Sequence, residues 1–352
     1  LNANKYIDLL IIGQGIAGSL LAFEANKLGL TYVIIDEGLT QTSSRVAAGM
    51  FCPISGKRMV KSWLVNDLLP VMKQTYTELE LVLDKQFFFN RNVYQVFGSI
   101  KEQNDLFTRA EDASFAQFVD FNPTSVNAIK QPFGAFSISD SGYLNTAVFL
   151  SAFKQWLLSK RQIISRIFNG KDLIWQNGFW HYNGIKAKQV VFCDGYKNKV
   201  NGFFNFLPYI LCKGEVLTVK LPFTTDYIIK KAIYLVHLGE SIYKIGATYQ
   251  WNNVIPEPTQ FGLQFLIEKL KELVGNNFEI INHESGIRPT TKDRKPFLGK
   301  HPKYANLFVF GGLGTKGIMQ APFLAKHLLN AMLFNTPILP EADINRCLKI
   351  NY

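Results

Sequence analysis

The residues best placed to do chemistry stand near the start of the chain, in "LLIIGQGIAGSLLAFEANKLGLTYVIIDEG", residues 9 to 38, where Gly13, Gly15 and Gly18 follow G-x-G-x-x-G spacing. Each glycine has its own reason: Gly13 permits a tight turn, Gly15 lets the backbone approach a pyrophosphate, and Gly18 lets a helix pack closely on a strand. The amides that open the following helix receive the phosphate charge. Asp36, at the end of the next apolar run, is an acid able to accept a ribose hydroxyl. Such an acid disfavours a 2′-phosphate, which argues against NADP and leaves FAD or NAD. A second glycine cluster, Gly311, Gly312, Gly314 and Gly317, lies in "NLFVFGGLGTKGIMQAPFLAKHLLNAM", again between an apolar run and a helical pattern. It implies a second anion site made of backbone amides.

Other chemistries find no support in the spacing. Cys52, Cys193, Cys212 and Cys347 form no C-x-x-C pair, and the five histidines, His181, His237, His283, His301 and His327, form no H-x-x-x-H pattern. Buried free thiols and no metal site are expected.

The elements that must position the glycines can be read from periodicity. A strand at 9–12, a helix at 16–28 and a strand at 32–35 frame the first cluster. Residues 40–58 read as an ordered loop leading to a short helix. Residues 61–84 have helical periodicity, 87–99 read as strand, and a helix runs from about 145 to 159. The stretch 189–196 is a buried strand ending in an Asp-Gly turn. Strands dominate from 214 to 249, and a helix follows at 259–274. Candidate cofactor pieces thus occur at the start, middle and end of the chain with strand-rich insertions between them. Nicotinamide dehydrogenases usually complete their site within contiguous halves, so this interleaving favours FAD.

With 352 residues, 47% hydrophobic and 18% charged, a sizeable core is expected rather than disorder. No apolar stretch reaches the length of about 18 residues that argues for a membrane span, and no signal-peptide pattern precedes the first strand. A cytoplasmic protein with no membrane partner is expected. Lys and Arg number 38 against 27 Asp and Glu, a formal charge of +11, which favours anionic partners. Part of the excess lies in "TKDRKPFLGKHPK", residues 291 to 303, which reads as a solvated basic loop because no aromatic-rich binding motif accompanies it.

The segments "IIGQGIAGSLLA", "SSRVAAGM", "SGYLN", "VVFCDGY", "IGATY", "GIRPTTKDRKPFLG" and "FGGLGTKGIMQAP" occur in an order that resembles the D-amino-acid-oxidase-like family of FAD-dependent oxidoreductases, which includes glycine, sarcosine and D-amino-acid oxidases. "GATYQ" and "GGLGTKGIMQAP" look most like the oxidase half of a bifunctional tRNA-modifying protein that acts on wobble uridine. "SSRVAAGM" looks more like glycine oxidase. The resemblance implies an α/β fold: a Rossmann-like FAD-binding domain, residues 1–85, 146–205 and 286–352, interleaved with a strand-rich α+β substrate domain, residues 86–145 and 206–285.

It also implies roles. Gly13, Gly15, Gly18, Asp36 and Glu37 hold the ADP part of a noncovalent FAD. Ser44, Arg45, Ala48, Gly49 and Met50 match the loop along the pyrophosphate and one flavin edge, Leu173 offers a backbone contact to adenine, and Gly195 ends the strand beneath the nucleotide. Gly312, Leu313, Gly314, Thr315, Lys316, Gly317 and Ile318 place amides around the ribityl chain and the pyrimidine edge. Arg288 lies among these cofactor contacts and also matches the arginine that binds the substrate carboxylate, a task suited to the guanidinium fork. Tyr249 and Lys316 join it as catalytic candidates. His237 could line the pocket, and Lys57 and Arg58 could hold an anionic substrate. The implied reaction oxidises the C–N bond of an amino acid or secondary amine by hydride transfer to flavin N5. The imine then hydrolyses, and dioxygen or another acceptor takes the electrons. A tRNA-modifying oxidase acting on a carboxymethylaminomethyl-uridine-like group is the first alternative, and a noncatalytic flavin-binding subunit is the second.

Overall fold

The computed structural model describes residues 5–56, 59–109, 111–252 and 254–348. The chain divides into two compact units. The first comprises Leu1–Arg45, Ala147–Cys212 and Ile287–Tyr352, and the second Val46–Thr146 and Lys213–Gly286.

The first unit is built on a largely parallel sheet. Its strands lie in the order Ile163–Ser165, Tyr32–Asp36, Lys5–Ile12, Ile185–Phe192, the first three pairings all parallel. Beyond Ile185–Phe192 the sheet forks. The early part of that strand pairs antiparallel with Phe179–Tyr182, and its last residues pair parallel with Leu307–Gly311. Strands buried on both faces need apolar residues on both, so "LLII" and "VVF" are continuous runs rather than alternating ones. Ile7, Leu10, Val33, Val190, Phe192 and Val309 meet in one core. The helix Ile16–Lys27 is buried from Ile16 through Ala25, and it packs against the helix Gly317–Phe334.

The second unit holds an eight-stranded, mostly antiparallel sheet. Tyr209–Lys220, Tyr234–Gly239 and Ile242–Gly246 form its middle, and the helix Gln260–Val274 sends Leu266, Leu270 and Leu273 into a core with Leu217, Leu235 and Tyr243. A small sheet of Met50–Phe51, Gly142–Leu144 and Phe88–Asn90 and a two-stranded one of Ile54–Ser55 and Val60–Lys61 also belong to it. Two strands, Tyr209–Lys220 and Glu279–Thr291, run across the division between the units.

Two boundaries differ from the sequence reading. Residues 46–85, assigned there to the nucleotide-binding part, lie in the second unit. The helix Val65–Leu83 packs on the strand Phe88–Asn90, with Tyr76 stacked on Phe88 at 5.4 Å. Glu80 fixes the approach by accepting the amides of Phe87 and Phe88 at 2.7 Å each. Residues 206–212 fall instead in the first unit, where Tyr209 sets its ring edge on Phe297 at 4.9 Å. The strand expected over 87–99 is two strands, Phe88–Asn90 and Val93–Val96, because the chain changes sheets between them.

Candidate functional site

The first glycine cluster forms a tight strand-to-helix turn. Gly13 has φ of +100°, and a Cβ there would stand 2.7 Å from the carbonyl oxygen of Cys193. A Cβ on Gly18 would stand 1.9 Å from the carbonyl oxygen of Gly13. The turn therefore closes only on glycine, which leaves a bare backbone cradle at the N-terminus of Ile16–Lys27. This geometry fits the pyrophosphate of a dinucleotide.

Gln14, between the glycines, is 2% exposed and knots the turn to its surroundings. Its amide donates to Asp36 Oδ2 at 2.8 Å, while its side-chain Nε2 donates to Ser19 Oγ at 3.1 Å and the Leu150 carbonyl at 3.2 Å. Arg45 Nη2 donates to Gln14 Oε1 at 3.1 Å, and Ser44 Oγ accepts the Ile16 amide at 3.3 Å. Asp36 is thus a structural acceptor for the turn. It also takes the Gly38 amide on Oδ1 at 2.8 Å, and its remaining lone pairs are what a ribose hydroxyl would use. Glu37 is paired with Lys197. Gly195 has φ of +64° and opens a short 3-10 turn after Ile185–Phe192. Leu173 buries its side chain in the core of this unit at 6% exposure.

The second glycine cluster lies in the same unit, after Leu307–Gly311. Gly312 and Gly314 have φ of +70° and +53°, and a Cβ on Gly312 would meet Thr291 Cγ2 at 2.9 Å. Thr315 is exposed, Leu313, Lys316 and Gly317 are half-buried, and Ile318 is buried as the helix Gly317–Phe334 begins. The Gly314 amide donates to the Pro289 carbonyl at 3.1 Å, which ties this loop to the strand segment carrying Arg288. Arg288 is half-buried, and its Nη1 donates to Cys212 Sγ at 3.8 Å. One unit therefore contains both glycine loops and the guanidinium.

The other expected residues fall elsewhere. Ala48, Gly49 and Met50 belong to the second unit, where a Cβ on Gly49 would stand 1.9 Å from the Leu144 carbonyl oxygen. Tyr249 is 59% exposed there. His237 bonds through Nε2 to the Glu240 carbonyl at 2.8 Å and stacks on Tyr243 at 4.9 Å. Lys57 and Arg58 lie outside the described residues.

Three participants escaped the sequence reading. Gln14 occupies a position that the glycine spacing leaves open. Asp194 lies in the stretch 189–196, read as a buried strand ending in an Asp-Gly turn, and Lys197 just after it, yet Asp194 Cα stands 3.1 Å from where a Gly13 Cβ would be. The charge is also uneven: the first unit carries 22 Lys and Arg against 9 Asp and Glu, the second 16 against 18.

The profile of a family described as "DAO: FAD dependent oxidoreductase" matches residues 8–331. A curated relative, the tRNA 5-methylaminomethyl-2-thiouridine biosynthesis bifunctional protein MnmC of Legionella pneumophila strain Philadelphia 1, is 22% identical over 94% of the chain. The chain spans 55% of that protein's length. Glycine oxidase of Bacillus subtilis strain 168 is 30% identical over 33% of the chain and 32% of its own length. Among solved structures, glycine oxidase from Geobacillus kaustophilus superposes with a TM-score of 0.79 at 21% identity, covering 94% of this chain and 95% of that one.

Proposed function

We propose, from the premise that this chain belongs to the DAO family of FAD-dependent oxidoreductases, that it oxidises the C–N bond of an amino acid or of a secondary amine bearing a carboxylate. The observation that carries this reading is the tie between the glycine loop and the arginine strand: Gly314 N donates to Pro289 O at 3.1 Å, next to Arg288. This bond supports the reading by tying the residue after Arg288 to the loop assigned to the flavin.

In this reading, the turn at Gly13, Gly15 and Gly18 and the first amides of Ile16–Lys27 hold the pyrophosphate of a noncovalent FAD, and Asp36 takes a ribose hydroxyl. The loop from Gly312 to Ile318 offers amides to the pyrimidine edge of the flavin. The positive end of Gly317–Phe334 favours negative charge on that edge. Bound FAD supplies a hydride acceptor at N5. Arg288 grips the substrate carboxylate through two parallel N–H donors and so fixes the adjacent carbon. Positioning carries most of the work, since the amine needs only to lose a proton and a hydride. The imine product hydrolyses to a carbonyl compound, with ammonia released from an amino acid and an amine from a secondary amine.

Anaerobic titration of the FAD-loaded protein tests this. Loss of flavin absorbance with glycine, sarcosine, a D-amino acid or an N-carboxymethyl amine is expected. Absence of bleaching by all of them, and by undermodified tRNA, overturns the catalytic reading.

A second reading has its own observation. The first unit holds the whole surplus of positive charge, and a relative named for tRNA biosynthesis matches along 94% of the chain. A carboxymethylaminomethyl group on a uridine is itself a secondary amine bearing a carboxylate, so Arg288 suits it equally. Bleaching by undermodified tRNA alone selects this reading.

A further inference from the structure

Asp194 follows the strand Ile185–Phe192 and stands against the first glycine turn, its Cα 3.1 Å from the position of a Gly13 Cβ. Part of the residue is open to solvent, but its Oδ1 is enclosed and has no hydrogen-bond partner among the described residues. Its Oδ2 accepts the side-chain amide of Asn201 at 3.2 Å, and the residue's own backbone amide also bonds the carboxyl group. An enclosed carboxylate oxygen without a partner among the described residues, on a residue whose backbone abuts a cradle for two phosphates, is electrostatically disfavoured there unless it is protonated.

We propose that Asp194 meets bound FAD as the neutral acid, so that binding of the dinucleotide takes up a proton at this side chain. This rests on FAD as the cofactor and adds a residue to its site.

The groups that face Asp194 leave it as the titrating member. Burial raises its carboxyl to about 7, with the Asn201 bond, its own backbone amide and Lys197 opposing and Glu37 adding to the rise. Glu37 and Lys197 are paired with each other. Burial pushes the Cys193 thiol and the Tyr209 phenol upward, so both stay neutral as Asp194 titrates. The Tyr209 hydroxyl is also enclosed, with no partner among the described residues, and it lies 2.6 Å from where a Cβ on Gly311 would be. Asp36 is occupied by the amides of Gln14 and Gly38, and Arg45 by Gln14. Phosphate charge placed beside Asp194 raises its proton affinity further.

The dissociation constant of FAD, measured by flavin fluorescence on the apoprotein from about pH 6 to about pH 9, tests this. The constant is expected to be flat below neutrality and to rise by up to about tenfold per pH unit above it, the limit for one proton. Asp194→Asn is expected to remove the slope. A pH-indicator dye gives a second readout on the wild-type protein alone: uptake approaching about one proton per FAD near pH 8, and almost none near pH 6. A flat wild-type profile, an unchanged slope in Asp194→Asn, or no proton uptake overturns the inference while leaving FAD as the cofactor. Failure to bind FAD at every pH overturns the cofactor reading and this inference with it.

Discussion

At the scale of single residues, Arg288 and His301 make the sharpest predictions. Arg288→Lys keeps the charge and loses the planar fork. For a carboxylate substrate, kcat/KM per bound flavin is expected to fall by about 10- to 100-fold, in line with about 1.5–3 kcal/mol for a charge-assisted bond. Steady-state kinetics on whichever substrate bleaches the flavin checks this, and an unaltered kcat/KM sinks the assignment. His301 is 6% exposed and accepts the amides of Lys303 and Tyr304 on Nδ1 at 3.0 and 3.1 Å, so Nε2 carries the hydrogen given to the Phe203 carbonyl at 3.0 Å. A proton on Nδ1 would point at two N–H groups. Burial lowers this histidine from its ordinary 6.5, opposed by the Phe203 bond and assisted by Lys303. The folded state thus binds fewer protons than the unfolded one, so the stability from this ring is complete above 6.5 and is lost as pH falls below it. The Tm advantage of the wild type over His301→Asn is expected to shrink between about pH 7 and about pH 5.

Among the elements, the helix Gln260–Val274 shows what the sequence could and could not announce. Its span was readable, a helix expected at 259–274, and in the structure Thr259 caps it by accepting the Gly262 amide at 3.1 Å. What anchors that cap was not. Glu215, 1% exposed, accepts the amide and hydroxyl of Thr259 at 2.9 and 2.7 Å, His283 Nε2 at 2.8 Å, and the ammonium of Lys213 at 3.0 Å. These partners come from three separate segments, so no local pattern reveals them. Burial pushes Glu215 up, but Thr259 and Lys213 outweigh it and hold the carboxylate below its usual range. Glu215→Gln removes the counterion of the buried Lys213 ammonium, which keeps the Glu257 carbonyl at 3.0 Å, and is expected to cost about 3–5 kcal/mol, read as a lower urea midpoint with unchanged slope. The same contrast holds at the site. The glycine turns were legible because steric need restricts each position to one residue type. Asp194, Gln14 and the split of residues 46–85 into the second unit were not, because they depend on which strands meet.

For the whole molecule, the division of charge decides how an anionic partner would engage. Should undermodified tRNA prove to be the substrate, its affinity is expected to fall at least about tenfold between about 50 and about 200 mM salt. Lys292→Glu and Lys303→Glu, exposed in the first unit, are expected to weaken it, whereas Lys271→Glu in the second unit leaves it unchanged. Equal effects of all three, measured by filter binding, count against a first-unit surface. Among the described residues no helix is long and apolar enough to cross a membrane.

The strand order of the first unit also sets a timetable. Lys5–Ile12 leaves the ribosome well before its partner Ile185–Phe192, which follows only after some 170 intervening residues, and Leu307–Gly311 comes later still. At about 5–20 residues per second, the apolar run "LLII" waits roughly 10 to 40 s for its neighbour. Throughout that interval the nascent chain exposes a bare β-edge and the sticky face of Ile16–Lys27. Slowing elongation after residue 36 is therefore expected to increase chaperone occupancy and aggregation of the newborn protein, while leaving the stability of molecules that finish folding untouched.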